Sequence, residues 1–263
     1  VNATTASPSV IDARFSQLRA EGRRALVAYV TAGHPTPVES VALMRGLEQA
    51  GVDILEVGVP FSDPLADGPV IQRSSQIAIE HGMSLNRTLE LIAEAKLTIP
   101  VVLFSYLNPI MAGGPDVLTR AKAAGVAGVL VTDMPVGADP TREAWFGESG
   151  LDFVRLVAPT TPSQRMAEIG RHGGGFVYLI SRLGVTGERD TLALDLPDSV
   201  ARLRAATTLP ICIGFGISTP EQARAAAELG DGVIVGSAIV RAAEESVESA
   251  VQLAASLRAA MDA

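Results

Sequence analysis

Eight short apolar runs punctuate the chain, and they restrict its possible folds more than any other feature. They predict strands near Leu26–Thr31, Asp53–Val57, Val101–Ser105, Gly128–Thr132, Phe153–Val157, Phe176–Ser181, Ile211–Phe215 and Val233–Gly236. Most are almost continuously apolar, the pattern of parallel strands covered on both faces. Seven are followed by a segment with helical spacing and the last by a short turn and helix. Val38, Val41 and Met44 form such a helical stripe after the first strand, and Leu85, Leu89 and Ile92 form one before the third. Gly51, Gly125 and Gly230 stand between a helix and the next strand, where a left-handed C-terminal cap is wanted. Most strand starts are one βα unit apart. The second-to-third interval is much longer and must hold an extra helix around Pro69–Glu80, and a further helix carrying Ile11, Phe15 and Leu18 precedes the first strand.

Eight such units with right-handed crossovers close into a (β/α)8 TIM barrel, with a doubly wound open sheet as the alternative. No Gly- or Pro-rich linker divides the chain, so residues 9–263 are expected to be one α/β domain behind a flexible tail of residues 1–8. The composition fits: 48% hydrophobic and 19% charged residues supply a large core and exclude disorder. No apolar run approaches the roughly 20 residues of a membrane span, and the first residues lack the pattern of a signal peptide. Cys212 is the only cysteine, which suits a reducing cytoplasm. A net charge of −8 without a basic cluster argues against nucleic acid.

In a barrel the reacting groups sit at the C-terminal ends of the strands and in the loops beyond them. Glu56 lies within the second apolar run, in the alternation phase of Ile54 and Gly58, and so points into the barrel. A carboxylate in such a place is paired or working. It either forms an ion pair, with Arg155 or Arg182 as candidates, or it transfers protons with its pKa raised by desolvation. Asp63 and Asp67 follow in a Pro- and Gly-rich loop, where Asp is ordinarily a turn former. A carboxylate there could also face Glu56 across a small ligand and divide acid and base roles with it. Gly214–Gly216, Gly236–Ser237 and Gly184–Gly187 follow the last three strands, the usual phosphate corner of a barrel.

The negative net charge does not oppose a phosphate there. Two unit charges about 20 Å apart in water interact by only roughly 0.2 kcal/mol. Lysine occurs only as Lys96 and Lys122, both away from the active end, so a Schiff-base lysine has no candidate. Of the three histidines only His34 lies at that end, which leaves a His-based metal site without convergent ligands. Cys212 reads as a core residue. The remaining chemistry is carboxylate acid–base catalysis on a phosphorylated substrate.

The run Leu55-Glu-Val-Gly-Val-Pro-Phe-Ser-Asp-Pro-Leu-Ala-Asp-Gly-Pro69 resembles the signature of the tryptophan synthase alpha subunit. The likeness continues in order through Asn108-Pro109, Asp133-Met-Pro135, Ser181 to Gly187, Gly214 to Ile217 and Gly236 to Val240. His34 and Leu107 depart from the family pattern, where an acidic residue and an aromatic are frequent. The resemblance implies a lyase that cleaves indole-3-glycerol phosphate to indole and glyceraldehyde 3-phosphate by a retro-aldol reaction. It implies Glu56 as the acid–base group and Asp67 as the acceptor of the indole N–H. Tyr178 would shape the site, Phe215 would line the indole pocket, and Thr186 would help order the loop after the sixth strand as it closes. Gly187, Gly216, Gly236 and Ser237 would hold the phosphate. No cofactor is expected in this chain. Pyridoxal phosphate is expected in a partner beta subunit of an alpha2beta2 heterotetramer, contacted through Asp63 and Asn108. A phosphosugar isomerase and a non-catalytic regulatory subunit are the competing readings; the missing lysine counts against the first, and the retained pair Glu56 and Asp67 against the second.

Overall fold

The computed structural model describes residues 8–180, 196–214 and 216–263. Eight parallel strands, β1 (Ala25–Thr31), β2 (Ile54–Gly58), β3 (Val101–Ser105), β4 (Val126–Val131), β5 (Asp152–Val157), β6 (Val177–Ile180), β7 (Ile211–Gly214) and β8 (Gly232–Val235), pair in chain order. β8 returns to β1, so the sheet is a closed barrel and the open-sheet alternative falls away. Every residue of β1, β2, β7 and β8 is buried. Their near-continuous apolar sequence follows from that, because one face meets the barrel interior and the other the helices.

Two main apolar compartments result, beside a small cluster of Tyr29, Ile71 and Val240. Ile54, Val102, Leu130, Val154, Tyr178, Cys212 and Ile234 point inward and pack on one another. The helix α1 (Val10–Ala20) adds Ile11, Phe15 and Leu18 to that inner cluster and closes the floor of the barrel. A Ser9/Asp12 capping box fixes its start. The alternate strand residues, such as Leu55 and Val57, join the larger shell between the sheet and the outer helices. Glu56 therefore shares the inner phase with Ile54, and its polar group lies one layer above the apolar floor.

The extra helix after β2 is α3 (Pro69–Glu80), followed by α4 (Leu85–Ala95), on which Leu85, Leu89 and Ile92 are buried as the spacing predicts. In α2 (Pro37–Gln49) Val41 and Met44 are buried, but Val38 is 82% exposed. It sits in the first turn, beyond the reach of the sheet. Gly51 and Gly125 take left-handed backbone at φ +91° and +101°. Gly230 does not: it is extended at φ −103°, so the expected left-handed cap at that position is wrong. A Cβ there would lie 3.0 Å from the Ile211 carbonyl, so close approach of backbone is what favours glycine. Two short helices, α5 (Leu107–Ala112) and α6 (Val117–Ala123), fill the connection from β3 to β4. Beyond them α7 (Pro140–Glu148), α8 (Ser163–Arg171), α9 (Leu196–Ala206), α10 (Pro220–Leu229), α11 (Ser237–Glu245) and α12 (Val247–Asp262) complete the outer ring. Among the described residues no helix is long and apolar enough to cross a membrane. The expected flexible tail falls almost wholly on residues 1–7, outside the described residues.

Candidate active site

Parallel pairing sets Glu56 of β2 beside Tyr29 of β1 and Val102 of β3. Glu56 is 1% exposed, and its Oε1 is buried with no hydrogen-bond partner among the described residues. Burial alone pushes its pKa up to about 8, so at neutral pH the group holds its proton. The ion-pair alternative with Arg155 is excluded by direction. Val154 faces inward, so Arg155 faces out, where it pairs with Glu143 at 3.3 Å and donates to the Met134 and His172 carbonyls. Its guanidinium also lies 3.5 Å from the centre of the Phe153 ring. Arg182 lies outside the described residues.

Asp67 sits on the loop between β2 and α3. Its backbone N–H donates to the Pro64 carbonyl at 3.1 Å, and the Gln72 amide donates to its carbonyl at 2.9 Å. The Tyr106 hydroxyl donates to Asp67 Oδ2 at 3.0 Å. Burial raises the carboxyl to about 6 against the opposing pull of that hydrogen bond, so Asp67 is ionised at neutral pH. The two carboxylates thus carry opposite protonation in one barrel mouth. Both act electrostatically on Tyr29 and Tyr178, whose hydroxyls are held neutral chiefly by burial and then by these charges.

Tyr178 points inward from β6. Its hydroxyl lies 2.6 Å from where a Cβ on Gly214 would stand, so only glycine leaves room for it. Tyr29 fills the corresponding space over Gly58, where a Cβ would collide with its hydroxyl, and its ring meets Phe104 edge-on at 5.2 Å. Neither Tyr29 nor Tyr106 stands among the sequence-predicted site residues. The signal for Tyr29 was present, since it shares the inward phase of Val27 on β1. Thr132, just past β4, adds a buried hydroxyl beside the Tyr106 phenol.

Two strands round the barrel from β2, next to β1, Gly236 is the N-cap of α11 and Ser237 its first residue, so the free backbone N–H groups of that helix begin where the phosphate corner is expected. Gly216 adopts φ +87°, a conformation that L side chains rarely take. Thr186, Gly187 and Phe215 lie outside the described residues. His34 follows β1 and is buried; burial lowers its pKa, and its Nε2 stands 3.8 Å from Glu244. It is neutral at pH 7 and packs rather than presenting a charge. Leu107 opens α5, its N–H donating to Asp133 at 2.7 Å. Lys96 caps α4 in a left-handed conformation, and Lys122 on α6 donates to the Gly150 carbonyl, both toward the floor side of the barrel. Cys212 is fully buried in the inner cluster. Among the described residues no three His, Cys, Asp or Glu side chains converge as metal ligands. Asp63 and Asn108 are both exposed at the C-terminal face.

The family model described as "Tryptophan synthase alpha chain" matches residues 15–262. The chain belongs to that family. The alpha chain of Desulfatibacillum aliphaticivorans is 46% identical over 244 residues, covering 92% of each chain. That of Solibacter usitatus is 46% identical over 242 residues, covering 90% of each. Among solved structures, the tryptophan synthase alpha subunit of Legionella pneumophila superposes with a TM-score of 0.88 at 34% identity, covering 97% of this chain and 99% of that one. A chain of Mycobacterium tuberculosis tryptophan synthase does so with a TM-score of 0.89 at 35% identity, again covering 97% and 99%. The alpha-chain relatives are thus matched along nearly their whole length, barrel and loops together.

Proposed function

We propose that this tryptophan synthase alpha chain cleaves indole-3-glycerol phosphate with Glu56 as the acid–base group and Asp67 as the carboxylate that accepts the indole N–H. The observation that carries this reading is the divergence of two carboxyl groups in one mouth, Glu56 pushed to about 8 and Asp67 to about 6. Opposed environments of this kind divide acid from base roles. Protonated Glu56 gives its proton to indole C3, and Asp67 stabilises the positive charge that then develops at the ring N–H. The side-chain hydroxyl returns a proton to Glu56 while its oxygen becomes the aldehyde oxygen of glyceraldehyde 3-phosphate. The bonding pair of the broken carbon–carbon bond restores the indole ring. Protons and electrons balance, and Glu56 ends as it began.

Tyr178 walls the site beside Glu56, and Phe215 is assigned to the indole pocket. Gly187, Gly216, Gly236 and Ser237 are assigned to the phosphate, which backbone N–H groups at the α11 terminus suit. Thr186 is assigned to ordering the loop that closes over substrate and keeps water out. Residues 9–263 act as one catalytic domain behind the tail of residues 1–8. The chain works without a cofactor of its own, in the cytoplasm. It hands indole to a beta chain carrying pyridoxal phosphate in an alpha2beta2 heterotetramer. Asp63 and Asn108 are proposed to meet that partner. The exposed side chains of Leu65, on the loop of Asp63, and Met111, on α5 with Asn108, support this, because exposed apolar groups mark a protein contact.

Purified protein given indole-3-glycerol phosphate should release indole slowly alone and faster with a beta chain added. Glu56→Gln should abolish release, since an amide cannot exchange the proton, and Asp67→Asn should lose most turnover while still binding substrate. Wild-type turnover in Glu56→Gln would refute the acid–base assignment.

A further inference from the structure

The β2–α3 loop that carries Asp67 is fastened to the barrel by one side chain from a different strand. Tyr106, immediately after β3, is 5% exposed, and its ring stacks at a tilt on Phe61 of the loop, centroids 5.2 Å apart. Its hydroxyl donates to Asp67 Oδ2 at 3.0 Å and accepts the Ala66 N–H at 2.9 Å. A phenol has one proton to give, and here that proton is directed to Asp67. The acceptor side is taken by the residue just before it, so the hydroxyl is locked to two consecutive loop residues. One carboxylate oxygen is thereby engaged, and among the described residues no donor reaches Oδ1, which leaves that oxygen to a substrate donor.

From this geometry we infer that Tyr106 is a positioning residue for the known reaction: it sets which oxygen of Asp67 meets the indole N–H and keeps that carboxyl ionised. The inference rests on the assignment of Asp67 to the substrate N–H. A hydrogen bond donated to a carboxylate favours its charged form, and this one opposes the burial that raises Asp67 to about 6. Among the described residues, the other ionisable groups that act on this mouth are Glu56 on β2, Tyr29 on β1 and Tyr178 on β6. Glu56 is protonated at neutral pH and both phenols are neutral, so none supplies the positive charge that could replace the Tyr106 bond. The bond spans 39 positions of sequence, and it couples the end of β3 directly to the charge state of the β2 loop.

The test is Tyr106→Phe, which keeps the ring and its packing on Phe61 and removes only the hydroxyl. Circular dichroism should show an unchanged fold. Carboxyl-13C aspartate labelling, with the Asp67 signal assigned by its absence in Asp67→Asn, reads the titration of Asp67 without any turnover. We expect its midpoint to rise by roughly one pH unit in Tyr106→Phe. The acid limb of kcat/KM for indole-3-glycerol phosphate cleavage should move up with it. Protonation alone then costs roughly fivefold at pH 6, and kcat at the new optimum falls further because the free oxygen is no longer oriented. An Asp67 midpoint that does not move overturns the inference. A midpoint that rises while the acid limb stays in place upholds the Tyr106 clamp and removes Asp67 from the reaction, so the two assignments fail separately.

Discussion

Glu56 and Asp67 are the same chemical group placed in two environments. Glu56 has an apolar floor beneath it and no donor for its Oε1 among the described residues, so its proton is retained to about pH 8. Asp67 is less deeply placed and receives the Tyr106 hydrogen bond, so its proton leaves near pH 6. The productive form needs Glu56 protonated and Asp67 ionised. Below about pH 6 Asp67 gains a proton and can no longer accept the N–H; above about pH 8 Glu56 has none to give. The kcat/KM of the free alpha chain should therefore be bell-shaped with limbs near 6 and 8, read from steady-state indole release across pH. A profile flat from pH 5 to 9 would refute the division of roles. Glu56 was legible in the sequence because strand alternation alone fixes its direction. The Tyr106–Asp67 bond was not, since it joins positions on separate elements and no local pattern encodes which strand end a loop will meet.

At the scale of elements, the floor of the barrel depends on one buried acid. Asp53, at the entrance to β2, accepts from Arg14 of α1 at 2.6 Å, from the Leu26 N–H of β1 at 2.7 Å and from Arg258 of α12 at 3.1 Å. Asp53 is fully buried and Arg258 nearly so; removing the acid breaks that buried pair and leaves Arg258 with Asp262 and the Arg24 carbonyl as its partners. Asp53→Ala should cost about 2–3 kcal/mol, the loss of charge-assisted hydrogen bonds, measured by urea unfolding, with indole release by the surviving folded fraction unchanged because the node lies opposite the mouth. A loss below about 1 kcal/mol, the range of exposed pairs, would show the node to be dispensable. The helices that support the barrel were mostly legible, since α1 and α4 bury the stripes their spacing predicts and α3 lies where the long interval requires an extra helix. Val38 and Gly230 were not. An apolar residue in a first turn keeps the helical phase without reaching the sheet, and a glycine kept for close backbone approach looks the same in sequence as one kept for left-handed backbone.

For the whole molecule, the relevant property is how unlike the two ends of the barrel are. The mouth carries both carboxylates, the α11 terminus and the exposed side chains of Leu65 and Met111; the floor carries α1 and the Asp53 node. Met111 is 42% exposed on α5 and touches neither carboxylate. Met111→Glu should therefore weaken association with a beta chain by about tenfold, the loss of a modest apolar contact, and leave indole release by the isolated alpha chain intact. Titration calorimetry against the beta chain measures the first, and a Kd equal to wild type would place the partner elsewhere. The barrel itself was legible from eight repeated runs, whereas the closure of β8 on β1, a contact across the full chain, needed the structure. The floor node has a practical corollary. Arg14 from the first helix and Arg258 from the last meet on the same acid, and Arg23 reaches Asp262 at 3.1 Å. Both ends of the described chain are therefore anchored on the side away from the substrate entrance. An enzyme tethered to a solid support through either end would stand with its catalytic opening facing the solution.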